Sequence, residues 1–203
     1  MKDESYFQET QRDSQLIFDG RVLHVYKDTI GLPNGKESMR EYCRHGGAVA
    51  VVPLTKDNEV VCVRQYRYAL GRVVLEIPAG KLDSPEEDHL EAALRELREE
   101  TGYTPGRVVP IGDLATSPAL LTEIIYMYLA EDLTPGEVDP DEDEFLEIVH
   151  IPLEEMVDMI LCGEIRDAKT QAAVIKVWAM KQTQKEQEIQ ESNPLVYAPR
   201  CKR

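Results

Sequence analysis

The stretch 80-GKLDSPEEDHLEAALRELREETGY-103 decides how the rest of the chain is read. Seven acidic residues lie between Glu86 and Glu100, against Arg95 and Arg98. Like charges one turn apart destabilise a helix, so their concentration needs an explanation. Ser84-Pro85-Glu86-Glu87 reads as a helix start, with Ser84 as cap, Pro85 in the first turn and Glu87 three residues after the cap. Leu90, Leu94 and Leu97 recur at helical spacing, and Gly102 suits a C-terminal cap. This helix sorts its acids. Glu86, Glu87 and Asp88 fall in the first turn, where the helix dipole favours negative charge. Glu91, Arg95 and Glu99 form a row in which Arg95 neutralises its neighbours. Glu96 and Glu100 share a face away from the leucines. Such a pair offers hard oxygens to a divalent cation such as Mg²⁺, and the carbonyl of Ala79, at the preceding strand end, supplies a third. A solvated acidic face is the usual meaning of such a run. The strand end at Ala79-Gly80 directly before the helix favours the cation site.

Outward from this helix, the order is many strands, one helix, more strands, then two helices. Residues 1–14 are polar and read as frayed. Residues 16–45 read as a small antiparallel β-unit, with "RVLHVYKDTI" and "SMREYCRH" joined by a turn carrying Asn34-Gly35, a strong hairpin signal. "GGAVAVVPLT", "EVVCVRQYR" and "RVVLEIPAG" precede the acidic helix. "RVVPIGDLAT", "EIIYMYLAEDL" and "EFLEIVHIPL" follow it, the last two separated by an acidic loop. "LEEMVDMILCG" and "DAKTQAAVIKVWAMKQ" are helical. The expected division is an N-terminal β-unit over 1–45, an α/β domain over 46–182 with a mixed sheet between helices, and a charged, flexible tail over 183–203.

The 203 residues suffice for a substantial core, and the net charge of −15 argues against a general nucleic-acid binder. The same charge would repel an anionic membrane surface, and no apolar run is long enough for a span. Cys43, Cys62, Cys162 and Cys201 are scattered, which reads as reduced thiols in a cytoplasmic protein rather than a zinc site or a disulfide framework.

The run Arg95-Glu96-Leu97-Arg98-Glu99-Glu100-Thr101-Gly102-Tyr103 resembles the second half of the Nudix box, and Gly80 and Glu86 match its first half at their own spacing. Eight residues separate Glu86 from Arg95, where the pattern has seven. One extra residue therefore sits before the helix, and either Glu86 or Glu87 takes the place of the box's first Glu. "GAVAVVPL", "VRQYRYALGRVVLEIPAGK", "TSPALLTE", "DEDEFLEI" and "DAKT" follow the pattern of the ADP-ribose pyrophosphatase branch of that family. The resemblance implies a Nudix-type α/β/α sandwich and a homodimer formed through the N-terminal β-unit. It also implies hydrolysis of ADP-ribose to AMP and ribose 5-phosphate with two or three Mg²⁺, Mn²⁺ being a possible substitute. By the same resemblance Ala79, Glu96 and Glu100 bind metal, and Glu99 adds a ligand or holds Arg95. Arg67, Glu76 and Glu123 contact substrate, with Arg64 expected to share the strand face of Arg67 as a joint anion clamp. Glu144, with Glu142 as the alternative, is the acid on the loop over the site.

Two departures stand out. Ser117-Pro118-Ala119 replaces the family's Ser-Pro-Gly, and the single tryptophan, Trp178, lies in the last helix, so the base must be held by other groups such as Val22, Leu23 or Arg40. Two other readings compete: a hydrolase of another nucleoside diphosphate sugar or dinucleoside polyphosphate, and a non-catalytic ADP-ribose sensor. The intact Glu96, Glu99 and Glu100 favour catalysis over sensing.

Overall fold

The computed structural model describes residues 1–84, 86–139 and 145–192, with side chains described to residue 187. Its centre is a four-stranded mixed sheet in the order β7-β4-β9-β8, built from β4 (Ala48–Pro53), β7 (Ala79–Lys81), β8 (Thr104–Ala115) and β9 (Ile124–Thr134). β4 runs parallel to β9, and the other two pairings are antiparallel. All six residues of β4 are buried, as the continuous apolar run Ala48-Val49-Ala50-Val51-Val52-Pro53 requires of a strand covered on both faces.

Alternation along β4 sends its side chains to two cores. Val49 and Val51 pack with Ala92, Ala93 and Leu97 of α1 (His89–Thr101), while Ala50 and Val52 join Met127, Leu129, Met156 and Val174 beneath α2 (Leu153–Leu161) and α3 (Ala168–Ser192). The result is an α/β/α sandwich with a mixed sheet. A second sheet, β10-β5-β6, comprises β5 (Glu59–Arg67), β6 (Arg72–Glu76) and β10 (Glu147–Pro152). Cys62 on β5 is fully buried against Met156, and desolvation pushes its thiol up to about 12, so it stays protonated. Trp178 joins α3 to α2 through its indole N–H, which donates to Glu154 Oε2 at 2.8 Å.

The N-terminal unit is a separate antiparallel sheet in the order β1-β2-β3, comprising β1 (Thr10–Asp19), β2 (His24–Gly31) and β3 (Glu37–Arg44). The β2–β3 turn carries Gly35 at φ 79°, the left-handed conformation that the Asn34-Gly35 pair predicts. β1 departs from the expected frayed terminus. Each of its residues is exposed, and its backbone pairs with β2 along the whole strand. The polar run Thr10–Gln15 hides a strand held by main-chain bonds rather than by an apolar face.

Helix α1 also begins later than its sequence suggests. Asp88, not Ser84, is the N-cap, accepting from Leu90 N at 2.9 Å and Glu91 N at 3.1 Å. Glu86 and Glu87 therefore precede the helix instead of occupying its first turn, and Glu87 turns back to accept from Asp83 N at 2.6 Å. Leu90 is exposed, and the buried face runs through Ala92, Ala93, Leu97, Glu100 and Thr101. At the far end Gly102 takes φ 73°, and a Cβ there would stand 2.6 Å from Gly136 O. Both its backbone conformation and the close approach of the next loop call for glycine. Helix α3 reaches Ser192, past the end expected near 182.

Candidate active site

β6 ends at Glu76, and the chain crosses through Ile77 and Pro78 into the short strand β7, where Ala79 pairs with Ala50 of β4. Helix α1 returns across this strand end. Glu100 is only 3% exposed, and its Oε2 accepts from Ala79 N at 3.2 Å. One turn earlier, the Glu96 carboxylate lies directly on Gly80. A Cβ built on Gly80 would stand 2.0 Å from both Cδ and Oε1 of Glu96. Absence of a side chain at residue 80 is therefore what lets the Glu96 carboxylate reach the strand. The expected trio Ala79, Glu96 and Glu100 is brought together, with Gly80 as the cradle.

Arg95 organises the remaining acids. Its guanidinium donates to Glu96 Oε1 at 2.8 Å, Glu99 Oε2 at 3.2 Å, Glu87 Oε1 at 3.3 Å and the carbonyl of Lys81 at 3.3 Å. Asp83 lies 3.6 Å away. Desolvation disfavours the charged guanidinium, but hydrogen bonds to Glu87 and Glu96 and the charges of Glu96 and Asp83 outweigh it, so its pKa is raised. Glu87, rather than the exposed Glu86, meets Arg95. The extra residue is absorbed in the loop before Asp88. Glu91 is exposed, and Arg95 instead reaches back to Glu87.

Arg67, at the end of β5, grips Glu76 with two hydrogen bonds, Nε to Oε1 at 2.7 Å and Nη2 to Oε2 at 2.9 Å. These bonds, against desolvation and with the added charges of Glu76, Glu100 and Asp167, raise the arginine's pKa. Glu76 is 1% exposed and also takes the ammonium of Lys169. Arg64 does not share this face. It stands three residues before Arg67, so the two-residue period of a strand turns it to the other side, where it pairs with Glu147 of β10. There it lines an open cleft of about 520 Å³ with Gln65, Tyr66, Val138, Phe145 and Glu100, a volume within the range of small-molecule sites.

Glu123 lies before β9. Its Oε2 accepts from Thr116 Oγ1 at 2.5 Å, and its Oε1 is 3.6 Å from His45 Nε2. Gly47 N donates to His45 Nδ1 at 3.1 Å, which places the neutral ring's proton on Nε2, facing Glu123. Ala119 is not among the residues with positive φ, so alanine suits its backbone. Glu142 and Glu144 lie outside the described residues; Asp139, the last described residue before them, donates its N–H to Glu99 O at 3.1 Å. Two sequence-distant participants, Lys169 and His45, complete these contacts. Only the "DAKT" motif marked the first, and no local signal marked the second.

Among the described residues, no three His, Cys, Asp or Glu side chains form a metal-holding group by themselves. The donors on offer are two glutamates and main-chain oxygen, a hard set that suits a divalent cation. The NUDIX domain model matches residues 44–174, and the chain belongs to that family, whose members use divalent metal cations. It is 44% identical over 160 residues to the ADP-ribose pyrophosphatase of Bacillus subtilis (strain 168), spanning 78% of this chain and 86% of that protein. It is 43% identical over 170 residues to the methanol dehydrogenase activator of Bacillus methanolicus, spanning 83% and 91% of the two chains. A crystal structure of an ADP compounds hydrolase matches with a TM-score of 0.79 and 26% identity, covering 88% of this chain and 97% of that one.

Proposed function

We propose that this protein hydrolyses the pyrophosphate bond of ADP-ribose, releasing AMP and ribose 5-phosphate, with Mg²⁺ as its cation. The observation that carries this reading is the convergence of Glu96 and Glu100 on Ala79-Gly80, with Glu100 lining an open cleft. The 44% identity to an ADP-ribose pyrophosphatase supports the choice of substrate.

Glu96, Glu100 and the Ala79 carbonyl would hold the cations, two or three in number, with Mn²⁺ an acceptable replacement. Bound there, they neutralise the diphosphate oxygens and lower the pKa of an attacking water. Arg95 fixes the Glu96 and Glu99 carboxylates, so little reorganisation accompanies substrate binding. Arg67 binds the diphosphate, while Arg64 and Glu123 line the substrate's path. Glu144, or Glu142 beside it, takes the water's proton. The absence of tryptophan near the site leaves base selection to the N-terminal unit. The enzyme works as a cytoplasmic homodimer joined through that unit, whose exposed Leu16, Ile17 and Phe18 offer apolar surface for a second copy.

The test is product analysis with ADP-ribose, other nucleoside diphosphate sugars and dinucleoside polyphosphates, each with Mg²⁺ and with EDTA. AMP release from ADP-ribose should require the cation. Glu100→Gln, which keeps an acceptor for Ala79 N, should retain the fold by circular dichroism. It should lose more activity than the roughly 10–100-fold typical of an outer-shell change. Hydrolysis by Glu100→Gln at the parent rate would show that the metal assignment is wrong.

A further inference from the structure

The N-terminus of α3 reaches into the end of β6 through a buried charged group that the metal site does not use. Glu76, at 1% exposure, has its two oxygens engaged by the Arg67 guanidinium and the Lys169 ammonium. Lys169 is itself 8% exposed, and its Nζ also donates to Asp167 Oδ2 at 3.1 Å. The same Asp167 oxygen accepts from Thr170 N at 2.9 Å and from Thr170 Oγ1 at 2.6 Å. Thr170 Oγ1 in turn accepts from Ile77 N at 3.0 Å. The helix terminus thus grips the last residue of the strand through the Glu76 carboxylate and the residue after it through the Ile77 amide.

We propose that Lys169 and Glu76 are positioning residues that hold Arg67 in the orientation in which it meets the substrate's diphosphate. This rests on the reading of Arg67 as a diphosphate contact. Arg67 has five N–H donors in a rigid fork. Glu76 takes one from Nε and one from Nη2, which leaves the Nη1 end for an incoming anion. A carboxylate with a single partner could swing with the long arginine side chain. Lys169 prevents this by bonding Glu76 Oε2, the oxygen that also accepts from Arg67 Nη2, and so tying the carboxylate to the first turn of α3, which is anchored in the core by the fully buried Ala173 and Val174. Replacing a buried ion pair with apolar groups is often neutral or stabilising, so fold stability does not call for three charges here. An oriented guanidinium does, because a preorganised donor needs no rearrangement when the anion arrives.

Steady-state hydrolysis of ADP-ribose with Mg²⁺ by the full-length chain tests this. Lys169→Met should raise KM about tenfold or more while kcat of the folded fraction stays within about threefold. Lys169→Arg should restore most of the parental KM. A purely structural role predicts fewer active molecules at an unchanged KM. A parental KM in folded Lys169→Met overturns the proposal. Removing one partner of a buried pair is strongly destabilising, so the double variant Glu76→Gln/Lys169→Met, which removes both charges of the buried pair and keeps an acceptor for Arg67 at position 76, serves if the single variant does not fold. It too should show the raised KM, and a parental value overturns the proposal. If the parent releases no AMP from ADP-ribose, the functional reading fails on its own. The network is then read from calorimetric binding of inorganic pyrophosphate with Mg²⁺, which Lys169→Met should weaken about tenfold and which, if unchanged, sinks the positioning role.

Discussion

Gly80 shows how one missing side chain can hold a site together. Its φ is outside the left-handed region, so backbone strain does not demand glycine there; the Glu96 carboxylate does, since it occupies the space a Cβ would take. Gly80→Ala should leave the fold largely intact, because the obstructing atoms are the far end of a flexible side chain. It should displace Glu96 and lower kcat/KM by at least about tenfold, in the range of disturbed metal ligation, with a melting midpoint close to the parent's. A large drop in melting midpoint would mean that the glycine serves the fold instead. The residue scale also shows where local patterning stops. Glu96 and Glu100 are legible because helical spacing is a short-range property. The pairing of Lys169 with Glu76 crosses most of the catalytic domain in sequence, and no local period can announce it. Arg64 and Arg67 look alike in sequence, yet strand alternation sends one to Glu147 and the other to Glu76.

At the scale of elements, α1 carries a second lesson. Ser84-Pro85-Glu86-Glu87 satisfies the local rules for a helix start, but the helix begins at His89 under the Asp88 cap. The competing principle is tertiary. Glu87 meets Arg95 and Asp83 N only if the chain is still looping at that point. Asp88→Ala should therefore cost about 1 kcal/mol, roughly 2–4 °C in melting midpoint for a chain of this size. Ser84→Ala should be close to neutral. The reverse order of effects in a thermal melt would restore Ser84 as the cap. The same kind of override explains the first part of β1, Thr10–Gln15, whose polar sequence carries no strand signal and whose pairing with β2 makes it a strand.

The whole molecule joins an exposed three-stranded unit to a closed sandwich. The unit meets the sandwich through main-chain bonds at Cys43 and Leu120–Thr122 and the His45 N–H to Thr122 Oγ1, while Leu16, Ile17 and Phe18 stay exposed. Sedimentation of the parent should give a dimer. Phe18→Asp should shift it toward monomer by placing a charge in the apolar contact, with the melting of the sandwich little changed. A monomeric parent would refute the assembly. No helix among the described residues is long and apolar enough to cross a membrane.

By itself the sequence determined the features that depend on near neighbours. These are the continuous apolar run of β4, the Asn34-Gly35 hairpin, the Gly102 cap and the spacing that puts Glu96 and Glu100 on one helix face. Tertiary structure decided which of Glu86 and Glu87 meets Arg95, where α1 begins, which arginine grips Glu76 and which lysine joins it. Those choices belong to distances across the fold, where packing and the need to pair a buried charge outweigh local preference.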